Sequence, residues 1–497
     1  MELMPPKSAL TQRFWLFGIM LTASVLRLWN LAYPPKLVFD ETYYVKDALT
    51  LSLEGHEKSW GESPNQLFES GEVFGYLSDP AFVVHPPLGK WIIASGMWLF
   101  GPENSFGWRF AVSISGIISV YLLILIAHRL FRSWKLALVA GGLLAIDGLA
   151  IVMSRTALLD GPLTLFLLAG FLFFLVDQEK SRPVIASEVL LGKSGILWFR
   201  PWLVLAGVTL GFATAIKWSG LYLLAGIGIY LVFSELLLRK SVDQEKLIRI
   251  GFFGQAAISF LNLVPLALVA YLSTWSGWIL TKGGYARDWA EQNPSDGVFA
   301  IFPKWLSSLW HYHQVIYNFH ISLDTAHAYA SNPISWLLTL RPTAFFYESK
   351  EAGEAGCQSL AGCSSAITAL GNPLIWVAAT AALGYLVYRY FRHRERLVGL
   401  ILLGVGVQYL PWLLLSQRTV FQFYSISFLP WMILALVLVG SLANQYLNGI
   451  QPRLSRRLVL SYFIATALLA IFFLPIYLGL WIPFDLWQLR MWLPGWI

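Results

Sequence analysis

The sequence predicts an all-α integral membrane protein of about eleven transmembrane helices, and three observations predict it. Of 497 residues, 57% are hydrophobic and only 13% charged, about half the charged share of a soluble domain, with a mean hydropathy of +0.61. Apolar runs of the length needed to cross roughly 30 Å of hydrocarbon recur along the whole chain. The Lys and Arg residues gather in short clusters between those runs. Membrane topology accounts for such clusters, so the net charge of +7 carries no nucleic-acid reading. The 23 Trp, 21 Tyr and 33 Phe suit the headgroup level at both membrane faces.

The first apolar run, about 14–28, follows Lys7 and Arg13 and has no small-x-small cleavage site behind it, so it reads as a retained anchor. Ten further runs begin near Trp108, Lys135, Asp160, Trp202, Leu221, Gly251, Pro373, Leu397, Tyr424 and Leu458. The segment 88–100 is apolar but short, entered through His-Pro-Pro and left through Gly-Pro, and suits an interfacial helix. Charge tests that choice. With this segment demoted, one face holds the N-terminus and loops 129–135, 177–200, 235–249, 389–396 and 453–457, with 20 Lys+Arg against 8 Asp+Glu. Cytoplasmic loops carry the basic excess, so the N-terminus is expected inside and the C-terminus outside. Three parts follow: an N-terminal membrane catalytic module, 1–275, with a first extracytoplasmic loop at 30–107; a large extracytoplasmic loop, 276–372; and C-terminal membrane helices, 373–497. Loops this long usually carry function.

The first long loop opens with Phe-Asp40-Glu41-Thr-Tyr-Tyr. Asp40 reads as a helix cap with Glu41 in the first turn, where the helix dipole favours negative charge. That is an ordinary structural device. Two adjacent carboxylates close to hydrocarbon are also expensive, and each raises the other's pKa, which suits a general base. Further on, His85-Pro-Pro-Leu-Gly-Lys starts a helix, and His85 is placed to orient a substrate hydroxyl. Arg109, Arg155, Asp160 and Lys217 fall at the outer ends of spans or inside them, and Asp147 lies deeper. Each is either a snorkelling or ion-paired side chain or part of a phosphate site, because converging cations stabilise a phosphate leaving group without a metal. Cys357 and Cys363, six residues apart in the second long loop, are either a local disulfide or two free thiols. No metal-ligand spacing and no Gly-x-x-x-x-Gly-Lys-Ser/Thr loop accompanies these residues; His311, His313, His320 and His327 are spread through an aromatic stretch and read as structure.

In order, these motifs, with Gly-Trp-Arg109, Ser-Arg155, Leu-Leu-Asp160, Lys217-Trp-Ser-Gly, Asn-Pro with Trp336, Leu-Arg341-Pro and Arg418-Thr-Val-Phe, resemble the protein O-mannosyltransferase family in its actinobacterial-type form. The resemblance covers nearly the whole chain. Eukaryotic members carry a β-trefoil module in the central loop, and here that loop is too short for one. The resemblance implies an eleven-span GT-C-type glycosyltransferase in the plasma membrane, with its active site on the extracytoplasmic face. It implies a polyprenyl-phosphate-mannose donor, a Ser or Thr hydroxyl of an exported protein as acceptor, inversion at the anomeric carbon and no cofactor or metal. Membrane lipid and the secretion translocon are the further partners expected. It assigns Asp40 as base with Glu41 orienting, Arg109 and Lys217 to the donor phosphate, His85 and an Arg155–Asp160 pair to the cavity, and Trp336 and Arg341 to an acceptor-side loop. Two other readings compete: a related lipid-phosphate-sugar transferase acting on a glycolipid or polysaccharide, and a secondary transporter, which predicts charges near mid-membrane rather than at one face.

Overall fold

A computed structural model describes residues 6–240, 248–294, 301–354 and 356–497. Its helices longer than ten residues are α1 (Pro6–Leu28), α2 (Glu41–Glu54), α3 (Leu88–Phe100), α4 (Ser105–Phe131), α5 (Trp134–Ile146), α6 (Asp160–Leu190), α7 (Pro201–Thr214), α8 (Gly220–Lys240), α9 (Ala257–Ser273), α10 (Lys304–Ser322), α11 (Pro373–His393), α12 (Arg396–Leu414), α13 (Leu429–Ile450) and α14 (Pro452–Leu478). Among the described residues, eight helices are long and apolar enough to cross a membrane: α4, α6, α8, α9 with its π-helical lead-in from Ile250, and α11 to α14. α3, α5 and α7 are shorter. The thirteen residues of α3 rise about 20 Å, as do the thirteen of α5.

The helix starts are written locally. The Asn104 side chain accepts from the Phe106 N–H at 2.9 Å to cap α4. The Asn372 side chain accepts from the Leu374 N–H at 3.1 Å to cap α11, with Pro373 supplying the pre-set first turn. Asp147 ends α5 and accepts from the Asn372 N–H and the Trp376 indole, both at 3.0 Å. This deep carboxylate therefore joins α5 to α11 and is a structural group.

α9 packs on α7, α7 on α6, and α6 on α4, while α4 also holds α3 and α5. Arg109 and Arg129 stand twenty residues apart on α4, about 30 Å of rise, so they mark opposite ends of the bundle. At the Arg109 end the two long loops carry small sheets. Strand β1 (Lys58–Trp60) pairs antiparallel with β2 (Tyr76–Pro80). In the second loop β3 (Ala344–Lys350), β4 (Cys363–Thr368) and β5 (Ile482–Pro483) form an antiparallel sheet in that order, tying the loop to the last turns of the chain. Cys357 and Cys363 are joined in a disulfide at the first residue of the middle strand, β4.

Candidate active site

The segment between α1 and α2 is locked before Asp40 is reached. Arg155 donates to the carbonyls of Leu26, Arg27, Trp29 and Asn30 at 2.7–3.2 Å, satisfying carbonyls that the end of α1 leaves open. Arg109 donates to both carboxylate oxygens of Glu41, each at 2.8 Å. Its remaining donors go to the carbonyls of Leu31, Pro34 and Lys36. Glu41 also accepts from the backbone N–H of Val38 (3.0 Å) and Ala157 (2.7 Å). Both side chains are fully buried. All five guanidinium donors of Arg109 are thus engaged, and none is left for a phosphate. The structure corrects the expected donor-phosphate role of Arg109: it is the clasp that holds Glu41 and the entering loop. Glu41 is likewise a structural acid, and the two adjacent carboxylates do different work.

Phe39 precedes them in a left-handed conformation (φ +49°), a costly one for a bulky residue. Its ring is held at 5.2–5.6 Å by Phe345, Phe421, Phe423 and His327. The surroundings over-determine that turn, and the turn aims Asp40 away from the clasp. Asp40 makes no capping bond with its own side chain, so the carboxylate that reads as a cap in the sequence is free for other work.

Asp40 is half-buried, beside Tyr44, Lys217 and Asp160. Burial raises its pKa from 3.8 to about 6; Lys217 opposes the rise, Asp160 adds to it and the Tyr44 hydroxyl opposes it. Asp160 is paired with Lys217 at 2.7 Å, and the Lys217 ammonium lies 4.8 Å from the centre of the Tyr424 ring. This corrects the expected Arg155–Asp160 pair: the two are five residues apart, but Arg155 turns back to the end of α1 and Asp160 forward to Lys217.

Lys217 sits between α7 and α8 in a bend that requires its glycine, because a Cβ at Gly220 would lie 2.4 Å from the Thr214 nitrogen. The His-Pro-Pro loop docks on the same bend through a Leu88 N–H to Ala215 carbonyl bond at 3.0 Å. Lys90 secures this loop from below by donating to Glu57 and to the His85 carbonyl. His85 lies against Tyr44 and His320, with ring centres at 6.0 and 5.3 Å. Burial, then the charge of Lys217, holds His85 well below the ordinary imidazole range, so it is neutral at pH 7.

Two residues that the motifs did not mark for a role complete the chamber. His320, near the end of α10, donates from Nε2 to the Val84 carbonyl at 2.9 Å and accepts at Nδ1 from Arg418 at 2.9 Å. An imidazole accepting from a guanidinium is neutral, and burial followed by the Arg418 charge lowers its pKa to about 4. Arg418 keeps its buried Nε without a hydrogen-bond partner. It is a second cation beside Lys217 that retains donor capacity. Its motif, Arg418-Thr-Val-Phe, stood out in the sequence, but nothing in that spacing gave the arginine a role.

Beside this chamber, and divided from it by Trp218, whose ring centre lies 5.9 Å from that of His320, an apolar groove of about 890 Å³ runs along α7, α8, α9 and α10, lined by Trp218, Leu221, Val264, Leu268, Tyr271 and Trp310 among others. Leu221 and Leu268 leave about half their surface exposed, so the groove opens on the apolar flank of the bundle. The Trp218 indole donates to the Tyr271 hydroxyl (3.2 Å), which bonds His313 Nε2 (2.6 Å), fixing the mouth of the groove.

The second-loop residues lie elsewhere. Trp336 is fully buried, donating to Ser331 and packing on Trp412 and Tyr424 at about 6 Å. It meets the chamber wall through Tyr424. Arg341 donates to the carbonyls of Ala328, Gly495 and Ile497, fastening the loop to the chain end. Among the described residues, no three His, Cys, Asp or Glu side chains converge as a metal site would require.

Fold and site together define an integral-membrane enzyme whose polar centre lies at one end of a helical bundle, beside a groove open to lipid. Residues 81–281 match the family described as dolichyl-phosphate-mannose-protein mannosyltransferase, and 305–496 match the C-terminal four-transmembrane region of protein-O-mannosyltransferase. The polyprenol-phosphate-mannose–protein mannosyltransferase of Mycolicibacterium smegmatis is 31% identical over 97% of this chain and 93% of its own length. The Corynebacterium glutamicum protein of the same name is 29% identical over 92% and 88%. The chain belongs to the protein O-mannosyltransferase family. Its fold is that of the Saccharomyces cerevisiae Pmt1-Pmt2 complex bound to the sugar donor (TM-score 0.74, 15% identity, 100% of this chain and 93% of that one). ArnT from Cupriavidus metallidurans bound to undecaprenyl phosphate shares it more loosely (TM-score 0.53, 16% identity, 94% and 77%).

Proposed function

We propose that this protein transfers mannose from polyprenyl-phosphate-mannose to the Ser or Thr hydroxyls of exported proteins by a single inverting displacement. The observation that carries the reading is Asp40: a half-buried carboxylate outside the Glu41–Arg109 clasp, facing Lys217, with Arg418 on the His320 side of the same chamber and an apolar groove beside it. Asp40 takes the proton of the acceptor hydroxyl as its oxygen bonds to C1 of the sugar. The C1–O bond to the lipid phosphate breaks with its electron pair, and polyprenyl phosphate leaves. Lys217 and Arg418 meet the charge that grows on that leaving group, where preorganised donors are most effective. Neutral His85 and His320 wall the chamber without competing for the phosphate, and the groove takes the isoprenoid chain.

The wider layout we propose has eleven spans, a cytoplasmic N-terminus and an extracytoplasmic chamber and C-terminus, in the plasma membrane. The chain divides at 275 and 372 into catalytic module, second loop and C-terminal helices. The distribution of Lys and Arg, 20 against 8 acidic residues on the inner face, supports this orientation. In proteoliposomes, labelled mannose is expected to move from the polyprenyl donor to a Ser/Thr peptide with opposite anomeric configuration in the product. A retained configuration, or no transfer from a lipid monophosphate, sinks the proposal.

Two quantitative expectations belong here. With Asp40 titrating near 6, the base is ionised above that value, so kcat/KM is expected to fall about tenfold per pH unit below it and to level off toward neutrality. A profile flat down to pH 5 excludes a base of this pKa. For the phosphate, Arg418→Gln is a cleaner probe than a Lys217 substitution, which would leave Asp160 buried without its cation. It is expected to lower kcat/KM for the donor about 10- to 100-fold, the effect of one charged hydrogen bond, with acceptor KM unchanged. Unaltered donor kinetics removes Arg418 from the phosphate site.

A further inference from the structure

At the end of the bundle opposite Asp40 lies a second pocket, of about 520 Å³, between the C-terminal end of α4, the middle of α6 and the first turn of α12. Its charged lining is Arg129, Arg132, Arg182 and Arg396, with Glu179 as its one carboxylate among the described residues. Glu179 serves both Arg129 and Arg132. Arg182 and Arg396 have neutral partners instead: the Ser234 hydroxyl for one, and the Tyr230 hydroxyl (2.8 Å) and Gln178 amide oxygen (3.0 Å) for the other. The acids nearest in sequence are already used. Asp177 is buried against Arg200, and Glu395 pairs with Arg389. The lining itself therefore carries three more positive than negative charges, and Glu235, which lies outside it and pairs with Arg239, offsets part of the charge of Arg182. Apart from Gln178, the rest of the lining, Leu130, Leu175, Pro183, Ala186, Leu397 and Leu400, is apolar. A cationic rim over an apolar floor, at the depth where a helix of this length leaves the hydrocarbon, matches an amphiphile whose head is a phosphate ester.

We propose that this pocket binds the phosphate of an anionic phospholipid headgroup, with the guanidiniums on the phosphate oxygens and the first acyl carbons on the apolar floor. The chemistry differs from that of the chamber. Four planar forks converge here without a base or an opposing carboxylate–lysine pair, so the pocket holds an anion and transforms nothing. Glu179 is the internal competitor. It occupies two of the forks when the site is empty, and a phosphate that displaces it gains both.

The test uses the purified full-length chain in uncharged detergent. Phosphatidylglycerol, phosphatidylcholine and inorganic phosphate are titrated separately, with bound lipid read by native mass spectrometry and melting temperature followed in parallel. Phosphatidylglycerol is expected to bind one to one, and Arg182→Gln and Arg396→Gln each to weaken it about tenfold, or 1.4 kcal/mol. Glu179→Gln is expected to tighten binding, a gain that a misfolded variant cannot imitate. Stabilisation by inorganic phosphate equal to that by phosphatidylglycerol, and lost in the same variants, supports the phosphate site but assigns it to a soluble phosphate compound. Equal binding of phosphatidylglycerol and phosphatidylcholine, or affinities unmoved by all three substitutions, overturns the site and leaves these arginines as topology signals alone.

Discussion

Asp40→Asn is expected to reduce mannose transfer by about two to four orders of magnitude, the range a positioned general base supplies, while the protein stays folded. The substitution keeps the shape and removes the proton acceptor. Its effect on stability has a definite sign. The pKa of Asp40 lies near 6 in the folded protein against 3.8 for a free side chain, so the folded state holds that proton more tightly than the unfolded chain. Ionisation as pH rises from about 4 to 6 therefore costs stability. A neutral side chain escapes this penalty, so the variant is expected to melt at the same or a higher temperature than the parent at pH 7. Loss of activity with retained or improved melting identifies a catalytic carboxylate. Full transfer by the Asn variant removes Asp40 as base, and joint loss of activity and fold makes it a structural acid.

Glu41→Gln is expected to behave in the opposite manner. It leaves Arg109 charged, buried and facing an amide, and breaking such a pair from one side costs about 3–5 kcal/mol, a large part of the 5–15 kcal/mol that holds a typical domain. Melting temperature and the yield of monodisperse protein should both fall, and activity with them. Replacing both partners with apolar residues is not expected to restore stability. Glu41 accepts from Val38 and Ala157, and Arg109 donates to three carbonyls, so an apolar pair would strand those backbone groups. Adjacent acids with inverse responses, one losing chemistry and the other losing fold, would separate the chamber from its clasp. A Glu41→Gln protein as stable as the parent contradicts this division.

Much of this was legible in the sequence, because hydrophobic runs, proline-marked helix starts and charge asymmetry are properties of contiguous residues. The positions of α4 to α9 and α11 to α14 and the shortness of α3 follow from such signals, and the same reading singled out Asp40, His85, Asp160 and Lys217, which the fold brings to one chamber. Partner choice was not legible. Arg109 and Glu41 are 68 residues apart, and their spacing gives no indication that the guanidinium spends every donor on the entering loop. Arg155 and Asp160 look like a pair because they are close in sequence, yet the turn between them sends their side chains in different directions. His320 and Arg418 come from segments 98 residues apart and meet only after α10 folds over the His-Pro-Pro loop. The strained turn at Phe39 was equally hidden, since the four rings that impose it come from the second loop and the segment after α12.

The groove along α8 and α9 has a kinetic consequence. With the groove taking the isoprenoid chain as proposed, a donor enters sideways out of the bilayer and its aqueous concentration is irrelevant. The quantity that saturates the enzyme is a surface density, the mole fraction of donor among the surrounding lipids. Diluting the vesicles at fixed composition should leave the rate per enzyme unchanged, whereas adding inert lipid at fixed total donor should slow it.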